Sequence, residues 1–177
     1  MKEKEVKELD NEYQKKKFFG PLGLKELAKL YQGLSFDKLR EISLYYCWQN
    51  LLKGLREVSI KLKNRRVLIG ALSSNPQFMM DVAREILELD FALGTQLEFK
   101  EGIATGKILK ELNRHTKADI LRKIRENYGL DQDDVIMIGR PAITHLPEAK
   151  ETGIFIGFNP TKETIEDISK IILEKTG

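Results

Sequence analysis

Three places in the sequence carry residues that could do chemistry together. Ser73-Ser74-Asn75-Pro76 follows the apolar run 67–72, Lys117 stands near the start of an expected helix, and Arg140 follows the apolar run 135–139. Hydroxyls beside a helix N-terminus donate to anionic oxygens, and a lysine or guanidinium arriving from another loop brings the opposite charge. These residue types suit the holding of a phosphate or another small anion, with Ser73, Ser74, Lys117 and Arg140 as candidate ligands. A plain helix start is the competing reading of the serine turn, because Asn75 can cap and Pro76 can occupy the first helical position. Arg140 equally suits a solvated surface.

Other chemically able side chains have simpler readings. His115 and His145 have no Cys or His neighbours at metal-ligand spacing, whereas a zinc site needs about four ligands. Cys47, the one cysteine, cannot form an internal disulfide and sits in an apolar stretch, so it reads as core and fits a reducing compartment. Tyr45, Tyr46 and Trp48 lie on a helical apolar face and are expected to pack between the helical region and the α/β core. Lys15-Lys16-Lys17 beside Phe18 and Phe19 reads as a solvated helix end.

The elements that must position the candidates follow from hydrophobic period. Residues 1–62 show helical spacing only, with Val6, Leu9 and Tyr13, then Leu24, Leu27 and Tyr31, then Leu39, Ile42 and Tyr46 sharing faces. Gly20-Pro21 and Gly33 interrupt the run, Ser35 can cap a helix with Asp37 in its first turn, and 51–62 is expected as the last helix of the region. Beyond residue 63 the pattern changes to short continuous apolar runs, as in buried parallel strands. VLIGAL (67–72) reads as strand, the loop 73–76 leads into a helix with Phe78, Met79, Val82, Ile86 and Leu87 inward, and Glu101-Gly102 marks a tight hairpin within 97–106. A helix is expected to open near Thr116, strands to follow at VIMIG (135–139) and IFIGF (154–158), and a final helix to start near Thr161. The reading is an α/β fold, a Rossmann-like parallel sheet layered with helices over 63–177, preceded by a helical cap-like region over 1–62.

Open α/β sheets take ligands beyond the carboxyl ends of their strands, which places the chemistry past 67–72 and 135–139. Lys+Arg 30 against Asp+Glu 27 leaves a net charge of +3 spread along the chain, so no basic stripe points to nucleic acid. No apolar run reaches the ~18–20 residues of a membrane span, and the first residues lack the apolar middle of a signal peptide. A cytoplasmic protein is expected.

The order of strand and Ser73, FALGTQLEFKEGIATG, Lys117 opening a helix, VIMIG and GIFIGFNP resembles the phosphoserine phosphatase-like group of the haloacid dehalogenase-like (HAD) hydrolases over about residues 55–160. GLSFDKLREI (33–42) is similar to that group's helical cap. The resemblance implies that Ser73 binds the transferring phosphate and that Lys117 steadies it together with the nucleophile. It also implies Mg²⁺ and a first motif, a strand ending in two aspartates, ahead of the cap.

Against that pattern the chain departs sharply. Residues 1–30 contain no such motif, and Gly139-Arg140 stands where the family places a carboxylate, with Thr144 or His145 at its second aspartate. Asp133-Asp134 precedes the strand and belongs to its opposite end. The hard anionic oxygens that Mg²⁺ prefers are therefore lacking, and no metal or other cofactor is expected. Because phosphoryl transfer rests on a placed nucleophile and charge neutralisation, the expectation is a degenerate homologue without phosphatase activity that binds a partner or a small anion such as phosphate. The alternative is the C-terminal part of a split or truncated phosphoserine phosphatase-like phosphomonoester hydrolase. With the first strand lacking, the centre of the sheet should stand empty, so that the flanking strands pair directly, expose their edges, or accept a strand from a second copy or a partner chain.

Overall fold

The computed structural model describes residues 22–51, 54–139 and 146–157. In chain order the elements are α1 (Leu22–Leu30), α2 (Phe36–Asn50), α3 (Leu55–Asn64), β1 (Gly70–Pro76), α4 (Gln77–Leu87), β2 (Phe91–Lys100), β3 (Ile103–Lys110), α5 (Arg114–Tyr128), a 3-10 turn (Gln132–Asp134), β4 (Ile136–Gly139), α6 (Leu146–Ala149) and β5 (Ile154–Gly157). The expected helices over 1–21 and from Thr161 lie outside the described residues.

Ser35 caps α2 as its residue type suggests, accepting a hydrogen bond from the Lys38 N–H at 3.2 Å. Gly33 and Gly54 both adopt positive φ, and the left-handed turn at Gly54 starts α3 at Leu55 rather than at 51. The buried face of α2 is the narrow stripe Leu39, Ser43 and Cys47. That stripe corrects the placement of the aromatic residues: Tyr45, Tyr46 and Trp48 point away from it and are 66%, 53% and 67% exposed. Ile42 is likewise exposed. With Leu39 at i, the small Ser43 and Cys47 at i+4 and i+8 let α2 approach the core closely, which turns the larger neighbours outward.

The first strand begins later and runs further than its apolar run suggests. Asp90 holds the Ile69 backbone from both sides, its carboxylate accepting from the Ile69 N–H at 2.8 Å and its own N–H donating to the Ile69 carbonyl at 2.8 Å. Parallel pairing with β2 then starts at Gly70↔Phe91 and continues to Pro76↔Thr95, with an irregularity between Leu72 and Pro76. Ser73 to Pro76 are thus strand, not loop, and Pro76 is the N-cap of α4 rather than its first helical residue. A proline keeps the residue before it extended, so Asn75 cannot turn into the helix.

β2 and β3 form the expected hairpin, with Glu101 and Gly102 both at positive φ. The helical region is tied to this hairpin through backbone bonds from Gly33 to Ala104 and from Phe36 to Gly102. Leu39, Phe78 and Ala104 bury together there under Tyr31, Leu34, Met79, Leu97 and Phe99. A second cluster, Met80, Leu87, Leu89 and Ala92, joins α4 to the start of β2.

Among the described residues the strands make two sheets, β1-β2-β3 and β4-β5. β4 and β5 pair in parallel from Ile136↔Ile154 to Gly139↔Gly157. Between β1 and β4 lies an apolar cavity of about 400 Å³ whose walls include Ala71, Leu72, Leu121, Ile124, Ile136 and Ile138. Among the described residues no strand pairs β1 with β4, and Leu62 of α3 reaches both sides by touching Val67, Ile69 and Ile156.

Candidate functional site

The tip of β1 is fixed by its neighbours in β2. Gln77, the first residue of α4, uses its amide as a clamp: Nε2 donates to the Asp81 carboxylate at 2.7 Å and to the Ala92 carbonyl at 3.0 Å, while Oε1 accepts from the Gly94 N–H at 2.7 Å. Gly94 is required by close approach, because a Cβ there would stand 2.5 Å from the Asn75 carbonyl oxygen and 2.7 Å from Met80 Cγ. Ser73 and Ser74 are half-buried at this tip. The Ser73 Oγ accepts from the Asn75 N–H at 3.2 Å, which holds the hydroxyl at the bend.

Thr95, almost fully buried, connects the tip to the next candidate. It lies opposite Pro76 in the ladder, and its Oγ1 accepts from the Leu112 N–H at 3.2 Å. That contact anchors the segment that opens α5. Asn113 and Thr116 then cap the helix reciprocally: the Thr116 N–H donates to Asn113 Oδ1 at 3.1 Å, and the Asn113 N–H donates to Thr116 Oγ1 at 2.8 Å. The helix therefore opens at Arg114, and Thr116 is a capping partner inside its first turn.

Lys117 follows directly and is 9% exposed. Its Nζ stands 3.9 Å from Oε1 of Glu148, a fully buried carboxylate in α6. Burial lowers the Lys117 pKa below the ordinary lysine value, and the Glu148 charge opposes that shift. The Glu151 N–H donates to the Glu148 carbonyl at 2.9 Å, and the Glu151 side chain faces α5. Arg122 Nη2 and Arg125 Nη2, one helical turn apart on α5, bind the two oxygens of Glu151 at 2.9 and 3.0 Å. These hydrogen bonds, with Arg122 leading, bring the Glu151 carboxyl below the usual carboxylate range.

Of the four sequence candidates, Ser73 and Ser74 lie at the β1 tip and Lys117 lies in the first turn of α5, while Arg140 lies outside the described residues. Thr95, Asn113, Gln77 and Glu148 were not singled out by sequence. The Asn113-x-x-Thr116 spacing carries a capping signal that could have found the first contact of α5. Glu148 has no such signal, since its partner is 31 positions away in sequence.

A buried ammonium and serine hydroxyls at a strand tip suit an anion. Among the described residues no three of His, Cys, Asp and Glu gather as a metal site.

No family profile matches the chain. It is similar to the phosphoserine phosphatase of Archaeoglobus fulgidus, 29% identical over 147 residues, which is 82% of this chain and 41% of that protein. It is similar to the phosphoserine phosphatase of Methanocaldococcus jannaschii, 26% identical over 174 residues, covering 98% of this chain and 80% of that one. A phosphoserine phosphatase solved as a phospho-aspartyl intermediate analogue superposes with a TM-score of 0.72 at 24% identity, over 93% of this chain and 77% of that chain. These similarities support a place for the chain in the phosphoserine phosphatase-like group of the HAD superfamily. A HAD family hydrolase from Salmonella enterica serovar Typhi gives the same fold, with a TM-score of 0.74 at 15% identity. The chain thus spans about two fifths of the Archaeoglobus relative. Among the described residues no helix is long and apolar enough to cross a membrane.

Proposed function

We propose that the chain is the phosphate-holding portion of a phosphoserine phosphatase-like phosphomonoester hydrolase, whose nucleophile comes from outside residues 1–177. The observation that carries this reading is Lys117, a nearly buried ammonium kept against Glu148 in the first turn of α5. Burying a lysine costs stability unless a charge faces it, and a site for an anionic substrate is a reason to maintain that arrangement. Ser73 and Ser74 hold phosphate oxygens from the β1 tip, while Lys117 neutralises their charge and turns the phosphorus toward the attacking group.

The nucleophile is the part these residues do not supply. The structural neighbour is a phospho-aspartyl intermediate analogue. In this sequence the aspartates before residue 80 are Asp10 and Asp37, and Asp37 is in the first turn of α2. Similarity to a phosphatase over 98% of the chain favours the hydrolase reading over a silent anion binder, which rests on the missing first motif and on Arg140 with Thr144 or His145 at the aspartate positions.

The test is release of inorganic phosphate from phosphoserine and a panel of other phosphomonoesters, with and without Mg²⁺. The 177-residue chain is assayed alone and with the N-terminal portion of the Methanocaldococcus phosphatase joined ahead of it. No turnover is expected alone. Turnover in the extended protein, lost with Lys117→Ala, supports the reading; an extended protein without turnover, or one indifferent to Lys117→Ala, overturns it.

A further inference from the structure

A second cavity, of about 580 Å³, lies in the groove between α2, α3 and α4, and its lining includes neither Ser73 nor Lys117. Phe78 and Leu89, both buried, line it from the core side, with the partly exposed ring of Phe36 beside them. Much of the charge around it is already matched. Arg40 grips Glu85 through both carboxylate oxygens at 2.7 and 3.0 Å, and Glu88 pairs with Arg56.

Asp81 and Arg84, which also line the groove, are not matched in this way. They stand one helical turn apart on α4, a spacing at which an acid and an arginine ordinarily pair. Each is instead tied elsewhere. Asp81 Oδ1 accepts from the Gln77 amide at 2.7 Å, and Arg84 Nε donates to the Leu89 carbonyl at 3.3 Å. Lys63 Nζ donates to the adjacent Glu88 carbonyl at 3.2 Å, which adds a second cation on the Arg84 side. Among the described residues Asp81 Oδ2 and both Nη groups of Arg84 have no hydrogen-bond or ion-pair partner. A carboxylate and a guanidinium held apart over an apolar lining complement a ligand that carries an ammonium and a carboxylate close together on an apolar body. A simple anion or a purely apolar molecule would leave one head unused.

We infer that this groove binds an α-amino acid with an apolar side chain. Its carboxylate forks onto the Arg84 Nη groups, its ammonium meets Asp81 Oδ2, and its side chain lies against Phe78 and Leu89. The site shares no residue with the β1 tip or with Lys117, so it does not depend on the hydrolase reading. It does touch the clamp beside that tip: Asp81 holds Gln77, whose Oε1 accepts from the Gly94 N–H, and an occupied groove steadies that bond.

The experiment is calorimetric titration of the intact chain with leucine, with 3-methylbutylamine, which lacks the carboxylate, and with 4-methylpentanoate, which lacks the ammonium. Leucine is expected to bind at least tenfold more tightly than either, roughly the scale of one lost hydrogen bond to a charged group. Asp81→Asn keeps an acceptor for Gln77 and should abolish the preference over 4-methylpentanoate, while Arg84→Gln should abolish the preference over the amine. Hydrogen exchange gives a readout that needs no variant. The Gly94 amide should slow by roughly tenfold with leucine and not with 4-methylpentanoate. No heat with millimolar leucine, equal affinity for the three compounds, or preferences that survive both substitutions overturn the inference. Heat without slowing at Gly94 means that leucine sits away from Asp81 and overturns it as well.

Discussion

Lys117 and Glu148 face each other at 3.9 Å with almost no solvent around them, and neither is comfortable alone. Removing one partner of a buried ion pair leaves a charge without compensation and costs roughly 3–5 kcal/mol, whereas apolar replacement of both is near neutral. Glu148→Leu should therefore lower the urea midpoint strongly, and Lys117→Met added to it should recover much of the loss. A double-mutant cycle by urea denaturation measures this, with a coupling of about 1–3 kcal/mol expected. Only variants that keep Lys117 should bind phosphate. The pH dependence has a definite sign as well. The folded-state pKa of Lys117 is lowered, chiefly by burial, so between that value and the unfolded one the folded chain holds fewer protons. Stability from this group accordingly rises with pH across that window. Phosphate affinity moves the other way and falls once Lys117 loses its proton, at a lower pH than an ordinary lysine would give. Calorimetric titration of phosphate over alkaline pH reads this, and it should vanish in Lys117→Met.

The elements explain why the β1 tip is a fixed platform. Gly94 lets β2 pass beneath Asn75, and Gln77 ties that passage to the start of α4. Gly94→Ala would place a methyl group against a backbone carbonyl that has no room to yield, an overpacking cost of about 1–3 kcal/mol. The variant should show a lower thermal midpoint and weaker phosphate binding by titration, since Ser73 moves with Asn75. These contacts also mark how far the sequence could be read. The hairpin at Glu101-Gly102, the Ser35 cap and the strand at 136–139 were legible because each is set within a few residues. The bounds of β1 were not, because Asp90 and Thr95 decide them from another strand. The outward turn of Tyr45, Tyr46 and Trp48 was hidden for a related reason: helical period identifies an apolar face but not which of two faces a small-residue stripe will bury. Glu148 was illegible altogether, a carboxylate whose meaning comes from a lysine on another helix.

At the scale of the molecule, among the described residues β1-β2-β3 and β4-β5 share no ladder, and side chains lining the cavity between them are what joins them there. Leu62 is the buried residue at that crossing, touching Val58 within α3, Val67 and Ile69 ahead of β1, and Ile156 in β5. Leu62→Ala should cost about 2–5 kcal/mol by the usual measure of a buried leucine. The loss should be uneven. β2 and β3 keep their own clusters around Phe78 and Met80, whereas β4 and β5 are two strands of four residues each that meet the larger sheet, among the described residues, at the Leu62 cluster. Native-state hydrogen exchange of Leu62→Ala should thus show amides of 136–139 and 154–157 losing protection well before those of 91–100, two openings where one cooperative sheet would give a single one. Equal loss across all five strands would mean that the halves are joined by something other than this contact. Phosphate tests the same division from the opposite side, because an anion held jointly by the β1 tip and by Lys117, whose Glu148 precedes β5, binds only when both halves are folded. It should restore protection to 154–157 in Leu62→Ala in proportion to its occupancy.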